Sequence, residues 1–118
     1  MATANPAKLV NLDARIGSIM VDGAADLVVV RRTSKDVYAS LTHAAPQDVM
    51  LTVVRGQAVF GDLSLMKQWN GVVGDPVEIC GEAKAFSLNA SLPATVEKLT
   101  PALERMGRRL APLAECGQ

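Results

Sequence analysis

Between Asp48 and Asp62 the chain reads DVMLTVVRGQAVFGD. Val49, Leu51, Val53 and Arg55 share one face of an extended segment, and Met50, Thr52 and Val54 share the other. Both faces are largely apolar, which predicts an interior strand, because a strand with one wet face alternates more cleanly. Gly56-Gln57 suits a primed turn with glycine at its first central position, and Ala58-Val59-Phe60 pairs back before Gly61-Asp62 closes the hairpin. A second ribbon is predicted over 17–32, GSIMVDGAADLVVVRR. There Ile19 and Val21 alternate with Ser18 and Met20, Asp22-Gly23 makes the turn, and Leu27 to Val30 returns as a β-branched run expected to be covered on both faces.

Helical spacing surrounds these ribbons. Asn5 and Pro6 predict a cap and first helical residue for a short helix bearing Ala7, Leu9, Val10 and Leu12. Val37, Leu41 and Ala44 or Ala45 predict another over about 36–44, capped by Ser34 or Asp36 and stopped by Pro46. Leu63, Leu65, Met66 and Trp69 fit a helical turn or two, with the tryptophan as a packing anchor. Asn70-Gly71 and Gly74-Asp75-Pro76 are loop chemistry, and Val77–Cys80 and Ala85–Leu88 are short extended segments divided by Gly81-Glu82. Val96, Leu99, Leu103, Met106, Leu110 and Leu113 recur at intervals of three and four, the seam of an amphipathic helix opened by Pro93. Pro101 should kink that helix or restart it from Thr100, and the seam is expected to pack on the domain's own body. The sum is an α+β fold, a small β-rich, sandwich-like domain of two hairpins with flanking short helices and a carboxyl-terminal helix. All 118 residues read as one domain, its best internal boundary near 71–76.

Composition narrows the partners. Lysine plus arginine equals aspartate plus glutamate at 12 each, and aromatic residues are 3% of the chain, so it has neither a basic groove nor stacking platforms for nucleic acid. No apolar run approaches the roughly 20 residues that span a bilayer, and no secretion signal opens the sequence, so no membrane partner and a cytoplasmic location are expected. Cys80 and Cys116 lie far apart and outside any His/Cys cluster, which predicts reduced thiols.

The candidates for chemistry are few. His43, the only histidine, sits near a predicted helix end, where imidazole suits the dipole, with no nucleophile or metal signal beside it. Glu78, Cys80 and Glu82 alternate without a histidine and read as a solvated strand face. Arg55-Gly56 is explained by the turn rather than by an anion nest. No catalytic, cofactor-binding or metal residue is assigned, and a small enzyme built on Cys80 or His43 lacks a supporting constellation.

The run MATANPAKLVNLDARIGSIMVDGAADLVVV, the helix with Val37-Tyr38 and Leu41, and DVMLTVVRGQAVFGD together resemble the carboxyl-terminal end of the amidohydrolase superfamily. These are the metal-dependent hydrolases and deaminases of the cytosine deaminase, chlorohydrolase and imidazolonepropionase type. Gly17, Ser18, Ile19, Ala25, Asp26 and Leu27 fall on the family's sandwich-strand motif, and Val49, Val53, Gly56, Val59, Gly61 and Asp62 on its hairpin. The family's usual glycine after the first strand is here Asp22, with glycine one place later. The resemblance covers 1–62 and leaves 63–118 as an extension.

The resemblance implies a composite β-sandwich beside a TIM-type barrel, and a parent activity that hydrolyses non-peptide C–N bonds with water activated by zinc or another divalent metal. It also implies that the metal ligands, several histidines and an aspartate, belong to the barrel. With one histidine, this chain is expected to hold no cofactor and to be an inactive, detached fragment of such an enzyme, its partner a missing barrel domain. The alternative is a free-standing structural module that homo-oligomerises, as a dimer, through sheet edges left open by absent family strands.

Overall fold

The computed structural model describes residues 3–71, 74–112, 114 and 116. Within them, α1 (Ala4–Leu9) and an irregular stretch lead to β1 (Leu27–Val30) and α2 (Val37–Thr42). A 3₁₀ turn (Pro46–Asp48) then opens β2 (Val49–Val54), followed by β3 (Gln57–Asp62), α3 (Leu63–Asn70), β4 (Asp75–Ile79), β5 (Glu82–Phe86) and α4 (Leu92–Arg105). The strands form one antiparallel sheet in the order β1-β2-β3-β5-β4. The α+β class is therefore as expected.

β2 is an interior strand, as its pattern predicts, and pairs with β1 on one side and β3 on the other; β3 and β5 are interior too. Leu51, Val53, Ala58 and Ala85 line one face of the sheet and are closed over by Met66 of α3, with Leu27, Leu63 and Leu65 packed at the margin. That is the core. Gly61 lets β3 approach β2, since a Cβ there would sit 2.5 Å from the Met50 carbonyl oxygen and 2.9 Å from Leu51 Cα. Trp69 donates its Nε1–H to the Gly56 carbonyl at 3.0 Å, and Asn70 exchanges two hydrogen bonds with the Ala58 backbone, so α3 is tied down at its end.

Two tight hairpins are present, one of them not where the pattern placed it. β2–β3 turns through Arg55 and Gly56, with φ of 52° and 79°, and β4–β5 through Cys80 and Gly81, with φ of 53° and 81°. Two successive left-handed residues match the right-handed strand twist, so the glycine takes the second central position rather than the expected first. Over 17–32, by contrast, only Leu27–Val30 is strand. Asp22 does turn, at φ 60°, with Gly23 N–H on the Met20 carbonyl, but residues 18–21 find no strand to pair with, and Ile19 and Val21 are 91% and 90% exposed. β1 is correspondingly an edge strand, Val28 being 63% exposed, and is not covered on both faces.

The helices also depart in detail. α1 begins one residue before Asn5, with Thr3 at the cap position, while α2 is capped as expected by Asp36, whose Oδ1 accepts the Tyr38 N–H at 2.8 Å. α4 runs through Pro101 without a second start and ends at Arg105, so Leu110 lies beyond it; Leu113 is outside the described residues. No residue of α4 is buried, and its seam does not supply the expected packing on the domain's body. The cysteines are joined: Cys80 in the β4–β5 turn and Cys116 form a disulfide with Cα atoms 5.3 Å apart. Two cysteines 36 residues apart and outside any cluster predict reduced thiols, but the fold brings Cys116 to the β4–β5 turn.

Candidate functional site

His43 is the C-cap of α2, exposed, with Nδ1 2.9 Å from the Ala39 carbonyl oxygen and 3.4 Å from Thr42 Oγ1. The helix end that ranks it as a dipole partner thus also occupies one ring nitrogen. Cys80 is withdrawn from thiol chemistry by its bond to Cys116. Glu78 and Glu82 are exposed positions at the tip of the β4–β5 hairpin, so the three residues that alternate in sequence do not form one strand face, because the turn intervenes. Arg55-Gly56 is a turn, its Arg55 N–H held by Asp26 Oδ1 at 2.7 Å. The structure brings none of these together.

It does assemble a charged cluster that the hydrophobic pattern did not signal. Lys84, opposite Asp62 in the β3–β5 ladder, has no exposed surface. Its ammonium bonds Asp62 Oδ1 and donates to the carbonyls of Gln47 at 2.7 Å and Val49 at 3.0 Å. Asp62 Oδ2 in turn lies 3.9 Å from Arg31 Nη2. Three acceptors around one ammonium replace its water shell, which is the condition for burying a charge. The 3₁₀ turn, β2, β3 and β5 are thereby pinned at one point. The signal available in the sequence was slight: a single lysine in the otherwise apolar run Ala83-Lys84-Ala85-Phe86.

Apolar grooves are also present. One of about 640 Å³ lies between α1 and β1, lined by Ala7, Val10, Ile16, Ile19, Leu27 and Val28 among others, with Asp26 at its margin. Another of about 540 Å³ lies over the sheet face opposite α3, where Phe60 and Phe86 meet with ring planes tilted by 38° and centroids 4.7 Å apart. No histidine or cysteine lines either groove. Among the described residues no group of three or more His, Cys, Asp or Glu is placed to hold a metal ion, and the one histidine is engaged with its own helix. The donor set described does not fit a catalytic divalent metal. Also among the described residues, no helix is long and apolar enough to cross a membrane.

No curated protein and no solved structure matches the chain. The family model described as "Amidohydrolase family" matches residues 1–59, a span that runs from α1 into β3 and includes the groove beside β1, the α2 histidine and the whole of β2. That is half of the 118 residues, and the chain belongs to the amidohydrolase family.

Proposed function

We propose that this chain is the non-catalytic carboxyl-terminal portion of a metal-dependent amidohydrolase of the cytosine deaminase, chlorohydrolase or imidazolonepropionase type. Residues 1–62 are its sandwich segment and 63–118 an extension within the same domain. The observation that carries this reading is the family match over α1 to β3 in a chain whose single histidine caps a helix. Hydrolysis of C–N bonds by metal-activated water needs several imidazoles and carboxylates converging on one ion, with an open coordination position for water. Those groups are assigned to the barrel of such an enzyme, and the apolar surface of α1 and the groove beside it to the face that meets that barrel.

A cytoplasmic location belongs to the same reading. The Cys80–Cys116 bond is the feature that weighs against it, since such bonds are uncommon in reducing compartments.

The experiment is a titration of the purified chain with zinc and cobalt, followed by assays on cyclic amides, aminopyrimidines and chlorotriazines. The expected result is no stoichiometric metal uptake and no turnover above buffer. One bound metal per chain with measurable turnover overturns the proposal.

A second reading, a structural module that homo-oligomerises through an open sheet edge, is favoured by one observation: β1 is an edge strand and is exposed. Sedimentation equilibrium over a hundredfold concentration range tests it. A dimer supports the reading and a monomer throughout overturns it.

A further inference from the structure

The two edges of the sheet are finished differently. β4 carries Pro76, which has no N–H to offer, and the charged Glu78, both of which discourage pairing with another chain. β1 carries neither a proline nor a charge, and Val28 and Val29 are 63% and 42% exposed.

The direction of its free backbone groups follows from its neighbours. The Ala25 carbonyl accepts the Gly56 N–H at 2.9 Å, and the Arg31 N–H donates to the Asp48 carbonyl at 2.8 Å, so residues 25 and 31 both face the β2–β3 side. The register shift between β1 and β2 places the extra residue, Met50, on β2, and leaves the alternation of β1 unbroken. Backbone groups alternate between the two edges of a strand. Those of Val28 and Val30 therefore point outward, flanked in the same phase by Asp26 and Arg32.

We infer that this edge pairs antiparallel with the same edge of a second copy of the chain, about a two-fold axis at Val29. Outward-facing residues must meet outward-facing residues, which leaves few registers for a strand pairing with itself. With the axis at Val28, Asp26 lies opposite Val30 and Arg32 opposite Ala24. With the axis at Val30, Asp26 lies opposite Ser34 and Arg32 opposite Val28. Only the axis at Val29 sets Asp26 of each copy against Arg32 of the other, so that an acid–base pair closes each end of an apolar strand pair. Asp26 holds the Arg55 N–H through Oδ1, and Arg32 holds the Ser34 and Lys35 carbonyls through Nε and Nη2, so Oδ2 and Nη1 are the atoms that meet. The formal charge of the whole chain is zero and sets up no net repulsion between copies. The inference deepens the module reading and rests on it.

Sedimentation equilibrium of the intact, disulfide-bonded chain is combined with oxidation of Val29→Cys and Val28→Cys variants by diamide. The axis places residue 29 of the two copies in a non-hydrogen-bonded pair, with Cα atoms about 4.5 Å apart, within disulfide reach, whereas residue 28 meets residue 30. The expected result is a concentration-dependent dimer that cross-links at least roughly tenfold faster through V29C than through V28C. Arg32→Glu weakens it about tenfold, and adding Asp26→Lys restores it. Arg32 is exposed, so that arm stays readable even where the Asp26 variant is unstable. A monomer at every concentration, its edge left to a strand of some other chain, overturns both the pairing and the module reading. A dimer that cross-links no faster through V29C overturns the pairing alone.

Discussion

The centre of the sheet and residues 3–26 are built from similarly apolar sequence and end in opposite states. In the centre, Leu51, Val53, Ala58, Met66 and Ala85 are buried against one another. Ahead of β1, Leu9, Ile19 and Val21 stand almost wholly in solvent. The difference is one of partners rather than of hydrophobicity. β2 has a strand on each side and α3 across it, while α1 and the stretch after it bury Ala7 among the described residues and little else. Apolar sequence becomes a core only where hydrogen-bonded neighbours hold it in place, and the amidohydrolase match covers the amino-terminal stretch and β2 but stops short of Met66 and Ala85, which complete the core.

The largest expected effect is at the charge beneath the core. Lys84→Met strips the donor from two carbonyls and leaves Asp62 facing only the Arg31 contact, so unfolding free energy should fall by about 3–5 kcal/mol in urea titration. Retention of full stability would mean that the ammonium is not what joins the 3₁₀ turn to β5. Next comes reduction of Cys80–Cys116. Opening a loop of 36 residues should cost about 2–4 kcal/mol, read as a drop in thermal midpoint with reductant that a Cys80→Ser variant reproduces without it.

Gly61→Ala presses a methyl group against the Met50 carbonyl and should cost about 1–3 kcal/mol, with hydrogen exchange quickening along β2 and β3 together. At the other end of the comparison, Ile19→Ser should shift stability by less than about 0.5 kcal/mol, because the side chain it removes is already in water. A large loss there would show that the amino-terminal stretch is covered in solution by a second molecule.

How much of this was legible depended on whether a pattern carried its own partner. The β2–β3 hairpin was readable because DVMLTVV and QAVF lie next to each other and the turn residues sit between them. Ser18 to Val21 shows the same alternation, yet alternation states only that a strand is possible; the pairing that would realise it is absent from the sheet. α4 fails for a related reason, its seam being regular while none of its residues is buried. The Cys80–Cys116 bond joins positions whose approach is decided by the tertiary fold, which spacing does not encode. Lys84 was hidden because a lysine in a strand ordinarily marks a wet face, and only the register with Asp62 and the overlying Gln47 carbonyl reverse that. His43 was readable because its helix end is local.

The placement of the two-residue turns has a kinetic consequence. β2–β3 and β4–β5 each close through adjacent residues, so each can form within roughly 1–10 μs as a local event. The ladder that unites them, β3 with β5, spans α3 and β4 and closes a much longer loop, which makes it the slower step. Lys84 and Asp62 meet in that ladder, and the desolvation of their charges therefore falls on the docking of two preformed ribbons rather than on the making of either one.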